Sequence, residues 1–133
     1  MSGYTTLALN DAWSLRDADT GADWLPLRSS LDIRAFGFNA WRARHGQEVI
    51  ERHDEADSGH EEAYVVLAGA ARFTVGGDDF SAPAGTVVFI ADPALERVAI
   101  AERDDTLVLA IGAEPGTAFE PSEWEERALA KRG

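Results

Sequence analysis

The 133 residues are 45 % hydrophobic, with four Trp and six Phe, enough for one core and short for two; a single domain over residues 1–133 is predicted and disorder is excluded. A formal net charge of −12, from 24 acidic against 12 basic residues, repels phosphate backbones and anionic lipid, so no nucleic acid and no membrane is expected as a partner. The absence of cysteine excludes a disulfide scaffold, a thiolate metal site and a cysteine nucleophile.

At the N-terminus, Met1-Ser2-Gly3-Tyr4 is not a basic region leading into an apolar core, and no apolar run approaches the roughly 20 residues that cross a bilayer, so the expected address is cytoplasmic. Residues 1–30 read as a mixed lead-in, with a turn at Asp17-Ala18-Asp19-Thr20-Gly21 and an extended piece at Trp24-Leu25-Pro26-Leu27, since Leu25 precedes proline. From Leu31 the pattern changes to short β-prone runs. Strands are predicted at 31–38, 40–44 and 47–53, with bends at Gly37 and Gly46, followed by a polar loop at 54–59. Residues 62–67 are apolar on both faces, as in a strand packed between layers.

Residues 72–75 alternate, placing Ala71, Phe73 and Val75 on one face and Arg72 and Thr74 on the other. Gly76-Gly77-Asp78 signals a tight turn. Strands are predicted again at 86–90, 97–101 and 106–111, the last ended by Gly112 and Pro115-Gly116. Short strands at roughly eight-to-twelve-residue spacing predict a sandwich or barrel. One helix is predicted over about 122–131, opened by a capping box of Ser122 and Glu125. The four Trp read as packing, with Trp13 and Trp24 on an outer face, Trp41 in core or pocket, and Trp124 anchoring the helix.

The chemistry-bearing residues concentrate between His53 and Gly85. His53-Asp54-Glu55 and Glu62 bring one imidazole and two carboxylates onto short β segments punctuated by Gly69, Gly77 and Gly85, an arrangement that can aim side chains into a barrel mouth at a divalent cation or small polar ligand. His53 and Glu55, two apart on a strand, share a face, and Glu96 shares parity with Val98 and Ile100. Carboxylates converging in a partly dry pocket repel, so one takes a proton unless a cation sits among them. That cation is a metal, the guanidinium of Arg97 or Arg72, or a basic ligand; the residues alone do not choose. A solvated strand end would carry the same residues. His45 reads as a turn residue and Asp104-Asp105 as a hairpin tip. Nucleophile elbows, phosphate-cradling glycine loops and the paired-histidine zinc helix are absent.

Over residues 45–112 the chain resembles the cupin superfamily. Gly46 leads into His53, Glu55 stands where the first motif has a second histidine, and Glu62 with Gly69 keeps that motif's Glu-to-Gly spacing. Gly85-Thr86-Val87-Val88-Phe89-Ile90 matches a strand of the second motif, which places Glu96 where its metal histidine stands, with Arg97 beside it. Trp24-Leu25-Pro26-Leu27-Arg28 and Ala35-Phe36-Gly37 look like the lead-in of small single-domain bacterial cupins of unassigned function. The resemblance implies an all-β jelly-roll β-barrel, or double-stranded β-helix, with a pocket at one open end and a homodimer.

It also implies a divalent metal (Mn, Fe, Ni or Zn) held by His53, Glu55 and Glu62, with Glu96 or His60 as fourth ligand and Arg72, Glu96 and Arg97 in the pocket. The functional expectation is a small molecule bound in that pocket through the metal. The alternative is a metal-free ligand-binding or sensor module without catalysis. Metal retained through chelator-free purification favours the first; a pocket closed by an Arg97–carboxylate pair favours the second.

Overall fold

Ala71 and Phe73 are buried while Arg72 between them is exposed, the two-residue period of a strand with one face on a core. The same rule organises the chain in the computed structural model, which describes residues 3–132. A six-stranded sheet takes the order β1 (Leu15–Arg16), β2 (Asp23–Leu25), β3 (Gly37–Ala43), β10 (Thr106–Ala113), β5 (Glu61–Ala68), β8 (Val87–Ile90). A four-stranded sheet takes the order β4 (Glu48–His53), β9 (Arg97–Ala101), β6 (Ala70–Val75), β7 (Asp78–Pro83). All pairings are antiparallel.

The core lies between the sheets. Tyr64, Val66, Val88, Ile90 and Val108 from the larger sheet meet Val49, Phe73, Ala99 and Ala101 from the smaller. The jelly-roll arrangement expected from the sequence is therefore present, with one correction: the two sheets stack as a sandwich and do not close into a barrel. Burial of these inward side chains is the main stabilising term, at roughly 25 cal/mol per Å² of apolar surface.

The lead-in does more than precede the sandwich. Leu7, Leu9, Ala12 and Leu27 pack with Leu25, Ala40, Leu107 and Leu109 over the outer face of the larger sheet, so β10 is apolar on both sides. The strand predicted at 31–38 is not formed. A short helix, α1 (Leu27–Leu31), runs into it and ends at Asp32, whose φ of 56° turns the chain left-handed while its N–H caps the Arg28 and Ser29 carbonyls. Only Gly37 and Phe38 of that prediction belong to a strand, joined to 40–43 of the predicted 40–44 strand in β3, which ends at Ala43. β7, carrying Asp78, Asp79 and Pro83, lacks strand composition and went unpredicted; the turn at Gly76-Gly77 pairs it to β6.

The terminal helix, α2 (Glu123–Ala130), starts as predicted, with the Ser122 hydroxyl accepting from the Glu125 N–H at 3.1 Å. The Glu125 carboxylate goes instead to Arg28 Nε at 2.7 Å, and both side chains are nearly buried. Trp24 lies on the same face as its strand partner Trp41, not on the outer face, and its ring meets Trp124 edge-on at 4.8 Å. No helix among the described residues is long and apolar enough to cross a membrane.

Candidate functional site

At one end of the sandwich, β4 of the smaller sheet and β5 of the larger approach each other, and His53, Glu55 and Glu62 each place one ligand atom within 4.8 Å of the others. Glu62, Tyr64 and Val66 alternate inward along β5, and His53 closes β4 opposite Arg97 of β9. Glu55 reaches the cluster by a different route from the one its spacing predicts. β4 ends at His53, and Glu55 sits in the following turn, where its N–H donates to Pro93 O at 2.8 Å and its carbonyl accepts from Gly59 N–H at 2.8 Å.

The imidazole has a defined tautomer. His53 Nδ1 lies 2.6 Å from the Glu51 carbonyl, which only accepts, so Nδ1 carries the proton. Nε2 then faces the two carboxylates, 3.6 Å from Glu55 Oε1 and 3.9 Å from Glu62 Oε1. Burial pulls the His53 pKa down from 6.5, but the Glu55 contact, the Glu51 carbonyl and the Glu62 charge together carry it above that value. Glu55 is pushed up by burial and pulled down further by His53 and Ser58, ending below 4.5. Glu62 ends above 4.5, because burial and the Glu55 charge outweigh Tyr64, His53 and Arg97.

Two residues complete the cluster. Arg97 is wholly buried, its Nη1 donating to Glu62 Oε1 at 3.1 Å and its Nε and Nη2 to Leu95 O at 3.1 and 2.9 Å. The Tyr64 hydroxyl donates to the same Glu62 oxygen. Burial and the Glu62 charge hold the Tyr64 phenol well above its usual value, so it stays protonated and donating. Tyr64 went unread in the sequence, although it stands two residues from Glu62 on one strand and so shares its face.

Of the other candidates, Glu96 does not face inward. It is more than half exposed and pairs with Arg52 at 2.7 Å, while Arg97 takes the inward position in line with Ala99 and Ala101. Parity failed here because 97–101 is apolar on both faces, so the pattern does not say which face is inner. Arg72 is on the outer face of β6, bound to Asp79 at 2.7 Å, and is not in the pocket. The His60 ring lies 5.6 Å from that of Phe119 and is not in the three-residue cluster. A cleft of about 510 Å³ opens elsewhere, walled by Asp17, Glu51, Trp124 and Lys131 among others. It has volume without the convergent ligand atoms of the His53 cluster.

Neither a protein-family model nor a curated protein sequence matches this chain. Solved structures do. A cupin protein from Bacteroides fragilis superposes with a TM-score of 0.67 at 20 % identity, covering 92 % of this chain and 93 % of its own. A predicted oxalate decarboxylase from Thermotoga maritima gives a TM-score of 0.68 at 19 % identity, covering 83 % and 99 %. The cupin domain of a transcriptional regulator from Enterobacter cloacae gives 0.59 at 14 % identity, covering 71 % and 97 %.

Proposed function

The chain has the cupin fold, and on that premise we propose that it is a single domain over residues 1–133 that binds a small molecule beside His53, through a divalent cation held by His53, Glu55 and Glu62. One observation carries this reading: the Nδ1 proton fixed on the Glu51 carbonyl turns the Nε2 lone pair toward two carboxylates. Metal-bound histidines are oriented in this way. The separations of 3.6 and 3.9 Å are too long for hydrogen bonds. They lie near the roughly 3.0–3.6 Å between ligand atoms around an ion with bonds of about 2.0–2.2 Å. One nitrogen and two carboxylates form a hard set that suits manganese or ferrous iron better than copper.

A bound cation supplies Lewis-acid polarisation of an oxygen-bearing ligand. The chain's own residues supply the frame. Arg97 neutralises Glu62 and ties it to the 93–95 loop, Tyr64 fixes the carboxylate from within the core, and Ser58 holds Glu55 at 3.2 Å. Calorimetric titration of Mn²⁺ or Zn²⁺ into wild type and His53→Ala tests the reading. One site per chain, lost in the variant, supports it; no heat in either sinks it.

A specific feature favours a second reading, a metal-free ligand-binding module. Arg97 brings a permanent buried cation to Glu62, whose Oε1 already accepts from both Arg97 and Tyr64. With His53 protonated, two cations face two carboxylates and no metal is needed for neutrality. Under this reading small molecules, and not metal ions, raise the melting temperature of metal-free protein.

A further inference from the structure

The six-stranded sheet reaches past the four-stranded one. β4, an edge of the smaller sheet, faces β3, so β1 and β2 extend beyond it. α2 lies over that extension, its Trp124 ring 4.8 Å from Trp24 and 6.0 Å from Trp41. Between the turn at 17–20, β4 and α2 remains the cleft of about 510 Å³, inside the roughly 300–1,000 Å³ of small-molecule sites.

Its walls carry opposite charges that do not meet. The turn contributes Asp17 and Asp19, β4 contributes Glu51, and α2 contributes Lys131. None of these four is in an ion pair among the described residues. Arg16 and Arg127 also line the cleft but are answered, by Asp23 at 3.1 Å and Glu123 at 3.6 Å. The carboxylates crowd one another: burial and the charges of Asp17 and Asp19 lift the Glu51 carboxyl above its usual 4.5. Trp124 adds an aromatic wall that is 41 % exposed.

We propose that this cleft binds a small aromatic zwitterion of the amino-acid type, with its ammonium among Asp17, Asp19 and Glu51, its carboxylate on Lys131 and its ring on Trp124. The charges select it. A simple anion meets three carboxylates on a chain of net charge −12, and a simple cation leaves Lys131 unanswered. A molecule carrying both signs answers both walls, and an exposed indole takes an aromatic ring or an ammonium on its face. Glu51 serves two places at once: its carbonyl orients His53 and its carboxylate faces the cleft. The proposal needs no metal at His53.

Calorimetric titration of the full chain with three probes of one body tests it: phenylalanine, 2-phenylethylamine and 3-phenylpropionate. Phenylalanine should bind once per chain and tightest, phenylethylamine more weakly, and phenylpropionate most weakly. Asp19, Glu51 and Lys131 are exposed, so Asp19→Asn, Glu51→Gln and Lys131→Met should keep the wild-type circular dichroism and melting profile. Each should weaken phenylalanine by about fivefold, the effect of one partly exposed ion pair. Lys131→Met should not weaken phenylethylamine, and His53→Ala should bind phenylalanine as wild type does. No heat from phenylalanine at millimolar concentration overturns the proposal, as does phenylpropionate binding equally well. Full affinity in both Asp19→Asn and Glu51→Gln, or binding lost in His53→Ala, would also overturn it.

Discussion

Arg97 and Glu62 join the two sheets: Nη1 on β9 of the smaller sheet donates across 3.1 Å to Oε1 on β5 of the larger. Arg97 is wholly buried and Glu62 nearly so. A guanidinium taken from water needs its charge answered and its donors used, and Glu62 with the Leu95 carbonyl does both. The pair thus contributes to the fold and to the candidate site together.

Arg97→Met is expected to destabilise by about 3–5 kcal/mol, because Glu62 loses its buried counter-ion. Adding Glu62→Gln should recover part of that loss, since no uncompensated charge remains. Urea unfolding of the two single variants and the double variant measures the coupling. Strict additivity would mean that the contact contributes nothing of its own.

Glu62→Gln alone should remove bound metal, since the amide is a poor ligand, while its oxygen still accepts from Arg97. The fold loses about 3–5 kcal/mol, the range for removing one partner of a buried ion pair, because the Arg97 guanidinium keeps its charge without an anion. A folded Glu62→Gln protein with unchanged metal content would exclude Glu62 as a ligand.

Stability without metal should fall as pH rises above 6.5. The folded-state pKa of His53 is raised above 6.5, so its contribution is complete below that value and is lost as pH climbs through the folded value. Glu62, raised above 4.5, has the same sign at lower pH; Glu55, lowered below 4.5, has the opposite sign and loses its contribution as pH falls through its folded value. Melting temperature against pH for wild type and His53→Gln reads this directly. Above pH 6.5 the variant should give the flatter curve. Metal affinity should show the reverse trend, dropping about tenfold per pH unit below the His53 pKa as protons compete for Nε2.

Gly69→Ala should destabilise by more than about 2 kcal/mol. Gly69 has φ +72°, which alone costs a side chain about 1–2 kcal/mol. Its new Cβ would also lie 2.9 Å from the Thr106 Cα. Thr106 is buried and holds Ala70 O and Arg103 O at 3.2 and 2.7 Å, so it has little room to shift. An unchanged melting temperature would show the turn to be looser than this.

What the sequence reveals depends on which faces differ. Residues 97–101 are legible as a strand to the residue, because Arg97-Val98-Ala99-Ile100-Ala101 is β-prone and bounded. The direction of its side chains is not, because both faces are apolar, and a one-residue choice exchanges Glu96 for Arg97 at the site. Residues 31–38 mislead because Leu31 and Ile33 carry strand composition, while the Asp32 cap is a local backbone event with no pattern of its own. The grouping of His53, Glu55 and Glu62 is legible from spacing, yet Glu55 arrives through a turn anchored on Pro93, a contact between segments far apart in sequence.

The most direct test of the metal-site reading is elemental analysis of tag-free protein purified without chelators, alongside His53→Ala. One manganese, iron, nickel or zinc per chain in wild type, and none in the variant, is the predicted result. No stoichiometric metal, before or after addition of divalent ions to folded protein, would contradict it and leave Arg97 as the cation of the site.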